Sequence, residues 1–233
     1  MSRSSSTACL LLALSALLAA APARADGMQP QSTIVILDEA DGEVAMNVTN
    51  TDATPALLHT AIHDIPEDPD TLVIATPPVA RVEAGQAQMV RFILQGPPLL
   101  TQRLKRVTFE GIGEPVHSRG QAVIGIGIRQ NLPLLLHPKG LPRNDRPWTL
   151  VEWRRSGEHL LVVNDSPYVV RLSPQVTLLP SGRTVDLGRS YLLAGETVSL
   201  PLPATGALDD TGVRFAPATV YGFAVDSHES PLK

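Results

Sequence analysis

At 233 residues, with 43% hydrophobic and 18% charged side chains, the chain has the composition of a folded protein. A disordered one would carry more charge and less apolar surface. A net charge of −4 supplies no global positive field for nucleic acid, and 21 prolines and 17 glycines beside 4% aromatics favour many short segments over long helices.

Residues 1–25 read as a secretory signal peptide. Arg3 lies in a short polar start, an apolar run extends from Ala8 to Ala21, and Ala23-Arg24-Ala25 supplies small residues where a signal peptidase reads. Cleavage is expected before Asp26. An apolar run of about 14 residues is too short to span a bilayer comfortably, and no later stretch approaches about 18. Cys9, the single cysteine, lies in this segment, so no disulfide is expected in the mature chain. An exported, acidic protein without direct membrane insertion is the expectation.

The mature chain reads as strands. Thr33 to Leu37 is β-rich and closes at an acidic turn ending in Gly42. Glu43 to Asn50 alternates, with Val44, Met46 and Val48 on one face. Leu57 to Ile65, Leu72 to Ala75, Gln88 to Leu94, Arg106 to Phe109 and Ala122 to Leu136 follow, separated by proline- and glycine-rich turns. This spacing predicts an antiparallel β-sandwich ending at Pro138, so that a first domain spans 26–138. His137 to Pro142 reads as a hinge. A second domain over 139–233 takes Trp148 to Trp153, His159 to Asn164, Tyr168 to Leu172, Val176 to Leu179, Glu196 to Leu200 and Val220 to Val225 as strands. The fold class is all-β.

One strand is unusual. In Ala122 to Ile128, period-2 geometry puts Ile124, Ile126 and Ile128 on one face and Gly125 and Gly127 on the other. The row either fills the domain's own core, with the glycines admitting another backbone, or is an apolar edge that a partner covers. Periodicity alone does not choose between them.

Five motifs in order carry a family resemblance: Val44 to Asn50, Ala75 to Gly85 with its Thr-Pro-Pro and Arg81-Val82-Glu83, Gln88 to Arg91, the isoleucine row, and Asn164-Asp165-Ser166-Pro167-Tyr168. Over essentially the whole mature chain, the sequence resembles the periplasmic chaperones of chaperone–usher pilus assembly. The resemblance implies two immunoglobulin-like domains in a boomerang, a periplasmic location, no enzymatic activity and no cofactor. The implied partners are pilus or fimbrial subunits and an outer-membrane usher. It further implies donor-strand complementation, in which Ile124, Ile126 and Ile128 enter the open groove of a subunit that lacks its last strand. A free chain has self-association as one way of covering that strand.

The chain departs from the best-known members, which hold the subunit's terminal carboxylate with two basic residues. Thr33 to Leu37 contains no arginine, and the position five before Pro138 is Pro133 instead of lysine. A divergent branch, alternative or archaic in type, is implied. A carboxylate leaving water still needs compensation, so the candidate anchors are Arg91 by its motif position, Lys139 by its place at the hinge, and Arg129 beside the row. The alternative function is an exported adhesin or carbohydrate-binding protein with two immunoglobulin-like domains. Other chemistry finds little support. His59 and His63 have helical metal-pair spacing, but on a strand they stand roughly 13 Å apart. Gly111 to Gly113 and Gly125 to Gly127 open no helix.

Overall fold

The structure is a computed structural model and describes residues 27–113, 127–202 and 209–233. The signal segment, Ile124 and Ile126 lie outside the described residues. The first sandwich comprises β1 (Met28–Pro30), β2 (Val35–Asp38), β3 (Glu43–Asn50), β4 (Ala56–His63), β5 (Val73–Thr76), β6 (Val79–Val82), β7 (Ala87–Leu94), β8 (Arg103–Gly113) and β9 (Arg129–His137). One sheet has the order β1-β3-β7-β5, the other β2-β9-β8-β4-β6. Each strand points alternate residues inward. Met46 and Val48 of β3, Val90 and Phe92 of β7, Val107 and Phe109 of β8, and Leu134 and Leu136 of β9 therefore share one core. Phe92 and Phe109 meet edge to face at its centre, 6.3 Å between centroids.

The second sandwich begins with a 3-10 turn (Pro147–Leu150). It continues through β10 (Glu152–Ser156), β11 (His159–Asn164), β12 (Val170–Leu179), β13 (Thr184–Asp186), β14 (Tyr191–Leu192), β15 (Glu196–Pro201), β16 (Gly212–Ala218) and β17 (His228–Pro231). Its core is separate and centres on Trp153 and Phe215.

Three strand expectations need correction. Trp148 to Trp153 is not one strand, because Pro147 opens the 3-10 turn and β10 starts only at Glu152. Tyr168 to Leu172 and Val176 to Leu179 belong largely to one strand, β12, whose register against β16 shifts between Leu172 and Val176. Pro174 lies in that interval and has no N–H to give the ladder. Val220 to Val225 is a loop; the strand is β16, whose alternating Val213, Phe215 and Pro217 are buried. Arg214 and Pro217 broke up its apolar appearance in the sequence.

Both sandwiches use the same device at the end of an inner strand. The Asn50 amide, fully buried, donates to the carbonyls of Thr54 (2.9 Å) and Val82 (3.0 Å). The Asn164 amide donates to those of Tyr168 (2.8 Å) and Leu193 (2.7 Å). Each asparagine closes its own following turn and ties it to a distant segment, the end of β6 for Asn50 and the residue after β14 for Asn164. Asn164→Ala would leave two carbonyls without their donor, and urea unfolding should show a loss of about 2–4 kcal/mol. A loss below about 0.5 kcal/mol would mean that water replaces the amide without cost.

Candidate functional site

The site is built on β9 and on the seam between the sandwiches. β8 flanks β9 from Arg129 to Leu136, whereas β2 pairs only with Leu134 to His137, in parallel. Among the described residues, the other edge of β9 is therefore free from Arg129 to Pro133. Such a free edge is a template for an added strand. Leu136, Leu134 and Leu132 form the inward row of β9, which Gln130 continues, and Ile128 lies just ahead of the strand's first residue, where the expected strand Ala122 to Leu136 is not yet formed. Ile128 stands at the end of the sandwich and is 46% exposed. The sequence posed core and partner as alternatives, and two of the three isoleucines on which that choice turns, Ile124 and Ile126, lie outside the described residues.

The opposite face of β9 and β8 looks toward the second domain. Ile34, Ile65, Leu104 and Leu135 from the first domain pack with Val169, Tyr191 and Leu193 from the second. Gln102 is the polar centre of this seam. Its backbone N–H donates to Pro167 O (2.9 Å), its side-chain oxygen accepts from Val169 N (2.9 Å), and its amide nitrogen lies 2.9 Å from His137 Nδ1. The Val169 N–H fixes the amide orientation, so Gln102 donates to Nδ1 and His137 Nε2 donates to Leu141 O (2.9 Å). The domains are also bridged by Glu67, which accepts from Arg189 (2.6 Å) and from the Tyr191 hydroxyl (3.0 Å). Burial and the neighbouring Glu67 carboxylate both push the Tyr191 phenol up.

Beside this seam lie two arginines that the sequence reading missed. Arg106 on β8 is directly opposite Pro133 in the ladder; it donates to Asn131 Oδ1 and O, both at 2.8 Å. Arg171 on β12 is opposite Tyr191. Its Nη1 is buried with no hydrogen-bond partner. Burial lowers the pKa of both guanidiniums, and the charge of Arg106 lowers that of Arg171 further. Neither has a carboxylate partner among the described residues. A buried guanidinium N–H without an acceptor costs about 1–3 kcal/mol or more. Two like charges left together compound that cost, so the chemistry this arrangement accommodates is an anion. No single-strand pattern announces such a pair, because its members come from different domains.

The sequence's own candidates are placed differently. Arg91 is on the other sheet, between the buried Val90 and Phe92, and points to the outer face, where it pairs with Glu43. Lys139 donates its backbone N–H to Glu39 (2.7 Å); together with the Leu99 N–H this holds the Glu39 carboxyl below the usual range. Arg129 shares the seam-side face of β9 but pairs with Glu110 at 2.6 Å. The structure does not bring these three together. His59 lies 4.0 Å from Glu110 and His63 Nε2 lies 2.9 Å from Thr108 Oγ1, each with a partner of its own.

A model of the pili and flagellar-assembly chaperone family, PapD N-terminal domain, matches residues 27–142. Over 211 residues the chain is 43% identical to an uncharacterized fimbrial chaperone, YhcA, of Escherichia coli K12, covering 90% of this chain and 92% of the relative. The chain belongs to this chaperone family. Among solved structures, it resembles the SafB chaperone of Salmonella enterica, crystallised with the SafA pilin. That match has a TM-score of 0.72 at 18% identity over 90% of this chain and 98% of the other. The Pseudomonas aeruginosa CupB2 chaperone gives 0.65 at 25% identity over 88% and 100%. These likenesses establish the two immunoglobulin-like sandwiches. Within this chaperone fold, Pro133 occupies the position where the resemblance led one to look for lysine, and the segment Thr33 to Leu37, which has no arginine, contributes Ile34. Ile34 serves the interdomain apolar cluster instead.

Proposed function

We propose that this chaperone captures pilus or fimbrial subunits in the periplasm by strand addition along β9 and delivers them to an outer-membrane usher, acting by binding and not by catalysis. Ile124, Ile126 and Ile128 are the side chains that enter the subunit, and the subunit's terminal carboxylate docks between Arg106 and Arg171. The observation that carries the reading is the free edge of β9 at Arg129 to Pro133, with Ile128 half exposed just ahead of it. An incoming strand parallel to β9 continues the line of β2 and ends where β2 begins, at the rung of Pro133 and Arg106. Backbone pairing gives affinity and alternate side chains give register.

The test compares a subunit bearing a free C-terminus with the same subunit amidated by semi-synthesis. Amidation should weaken binding to the wild-type chain about tenfold or more. Arg106→Ala or Arg171→Ala should weaken the free-carboxylate subunit to the same level and make amidation irrelevant. Arg91→Ala, Lys139→Ala and Arg129→Ala test the anchors suggested by sequence. If the carboxylate preference survives in Arg106→Ala and Arg171→Ala, the arginine pair is not the anchor.

A further inference from the structure

Of the chain's four phenylalanines, three tyrosines and two tryptophans, Tyr221 (53%) and Phe223 (68%) are the exposed ones. They are two residues apart at the tip of one hairpin. The hairpin is tight: Ala218 bridges Ala224, Thr219 N donates to Phe223 O (2.8 Å), and Gly222 N donates to Thr219 O (2.8 Å). It is also specifically sited. Gly222 has φ +85°, and a Cβ there would lie 2.9 Å from Arg171 Nη1, so the turn rests on the guanidinium only because it is glycine. Next to it, Tyr221 O accepts from Thr33 Oγ1 at 3.4 Å. A loop of the second domain thus reaches the first domain just ahead of β2, where the added strand would end. Exposed aromatics are enriched in interaction surfaces because one large rigid group buries much area.

We propose that the 218–224 hairpin is an aromatic clasp for the subunit's C-terminal tail. Tyr221 and Phe223 pack on the apolar side chains of the two or three residues that precede the terminal carboxylate. This rests on the docking of that carboxylate at Arg106 and Arg171. The complementarity is of two kinds in one place: an apolar lip for side chains and, directly under it, the Arg171 cation of the pair that takes the chain end. At roughly 3.3–3.6 Å per residue, the last few residues of an extended tail fall within the reach of the hairpin.

The test uses the full chain produced together with a fimbrial subunit that it protects, and measures release of that subunit when excess labelled wild-type chaperone is added. Tyr221→Ala combined with Phe223→Ala should accelerate release about tenfold while leaving the thermal midpoint of the free protein unchanged. Truncating the subunit's penultimate apolar residues to alanine should accelerate release from wild type but add nothing in the double variant. Unchanged release, or equal sensitivity to truncation in both backgrounds, overturns the clasp. If Arg106→Ala and Arg171→Ala lose the subunit while the hairpin variant holds it, the clasp alone falls. If all of them hold it as wild type does, the docking of the carboxylate falls and takes the clasp with it. Normal release with failed transfer to the usher would assign the hairpin to the usher and also overturn the proposal.

Discussion

Ile126→Asp is expected to leave the free chaperone folded and to abolish subunit capture. Ile126 is the middle of the Ile124, Ile126, Ile128 row, and Ile128 is already half exposed, so under the proposed partner role a charge at Ile126 should cost the free protein little. In the complex, the same carboxylate would enter an apolar groove without a partner. That costs several kcal/mol, on top of the roughly 1.5–3 kcal/mol lost with the buried isoleucine. Together these weaken binding by about a thousandfold or more, since each 1.4 kcal/mol is about tenfold. Circular dichroism and thermal unfolding establish folding, and co-purification with subunit establishes capture. A variant that unfolds returns the row to the domain's own core; one that folds and still captures removes it from the interface.

The second large effect concerns stability. Lys105 points into the first domain between the two sheets, is 0% exposed, donates to Asp68 O (2.6 Å) and Asp68 Oδ1 (2.9 Å), and forms an ion pair with Asp64 Oδ1 at 3.0 Å. Arg103 holds the same Asp68 from the other side and also reaches Asp70 (2.9 Å). This knot pins the loop after β4, which carries the interdomain Glu67. Asp68→Ala removes the carboxylate hydrogen bond of the buried Lys105, leaves it Asp64 alone as a counter-charge among the described residues, and should cost about 3 kcal/mol in urea unfolding at neutral pH. The pH dependence has a definite sign. Burial raises the Asp68 carboxyl, but the hydrogen bonds and charges of Arg103 and Lys105 outweigh it and hold the group below its ordinary value. Its contribution is therefore complete above the unfolded value of about 3.9 and is lost as pH falls through the lower folded value. The gap between wild type and Asp68→Ala should be constant from neutral pH to about 5 and shrink below about 4. A gap unchanged in strong acid would assign the loss to packing alone.

The fold class was legible because alternation survives in most strands: Glu43 to Asn50 and His159 to Asn164 are strands with those bounds. Elsewhere it failed for identifiable reasons. Short edge strands such as β6 and β13 have too few residues to show a period, and in β16 arginine and proline occupy the gaps between buried residues. The isoleucine row stood out because three β-branched residues opposed to glycine are conspicuous without any structure. The arginine pair was invisible. Arg106 and Arg171 are 65 positions apart, each is unremarkable in its strand, and only the docking of two domains makes them neighbours. Arg91 drew notice by its motif, but its strand parity sends it outward to Glu43 on the far sheet.

The point at which β2 takes over from the free edge of β9 also makes the chain a ruler. A strand sliding along β9 toward the hinge meets an occupied position at Leu134, after a proline at 133 that has no N–H to offer. The stop and the positive charge are on the same rung, because Pro133 faces Arg106. A tail one residue too short or too long reaches the stop with its side chains on the wrong face. Two residues too short, it presents the right face but leaves its carboxylate well short of the arginines. If subunit tails dock as proposed, length, register and chain terminus are checked together, and the chaperone selects chains by where they end as well as by what they contain.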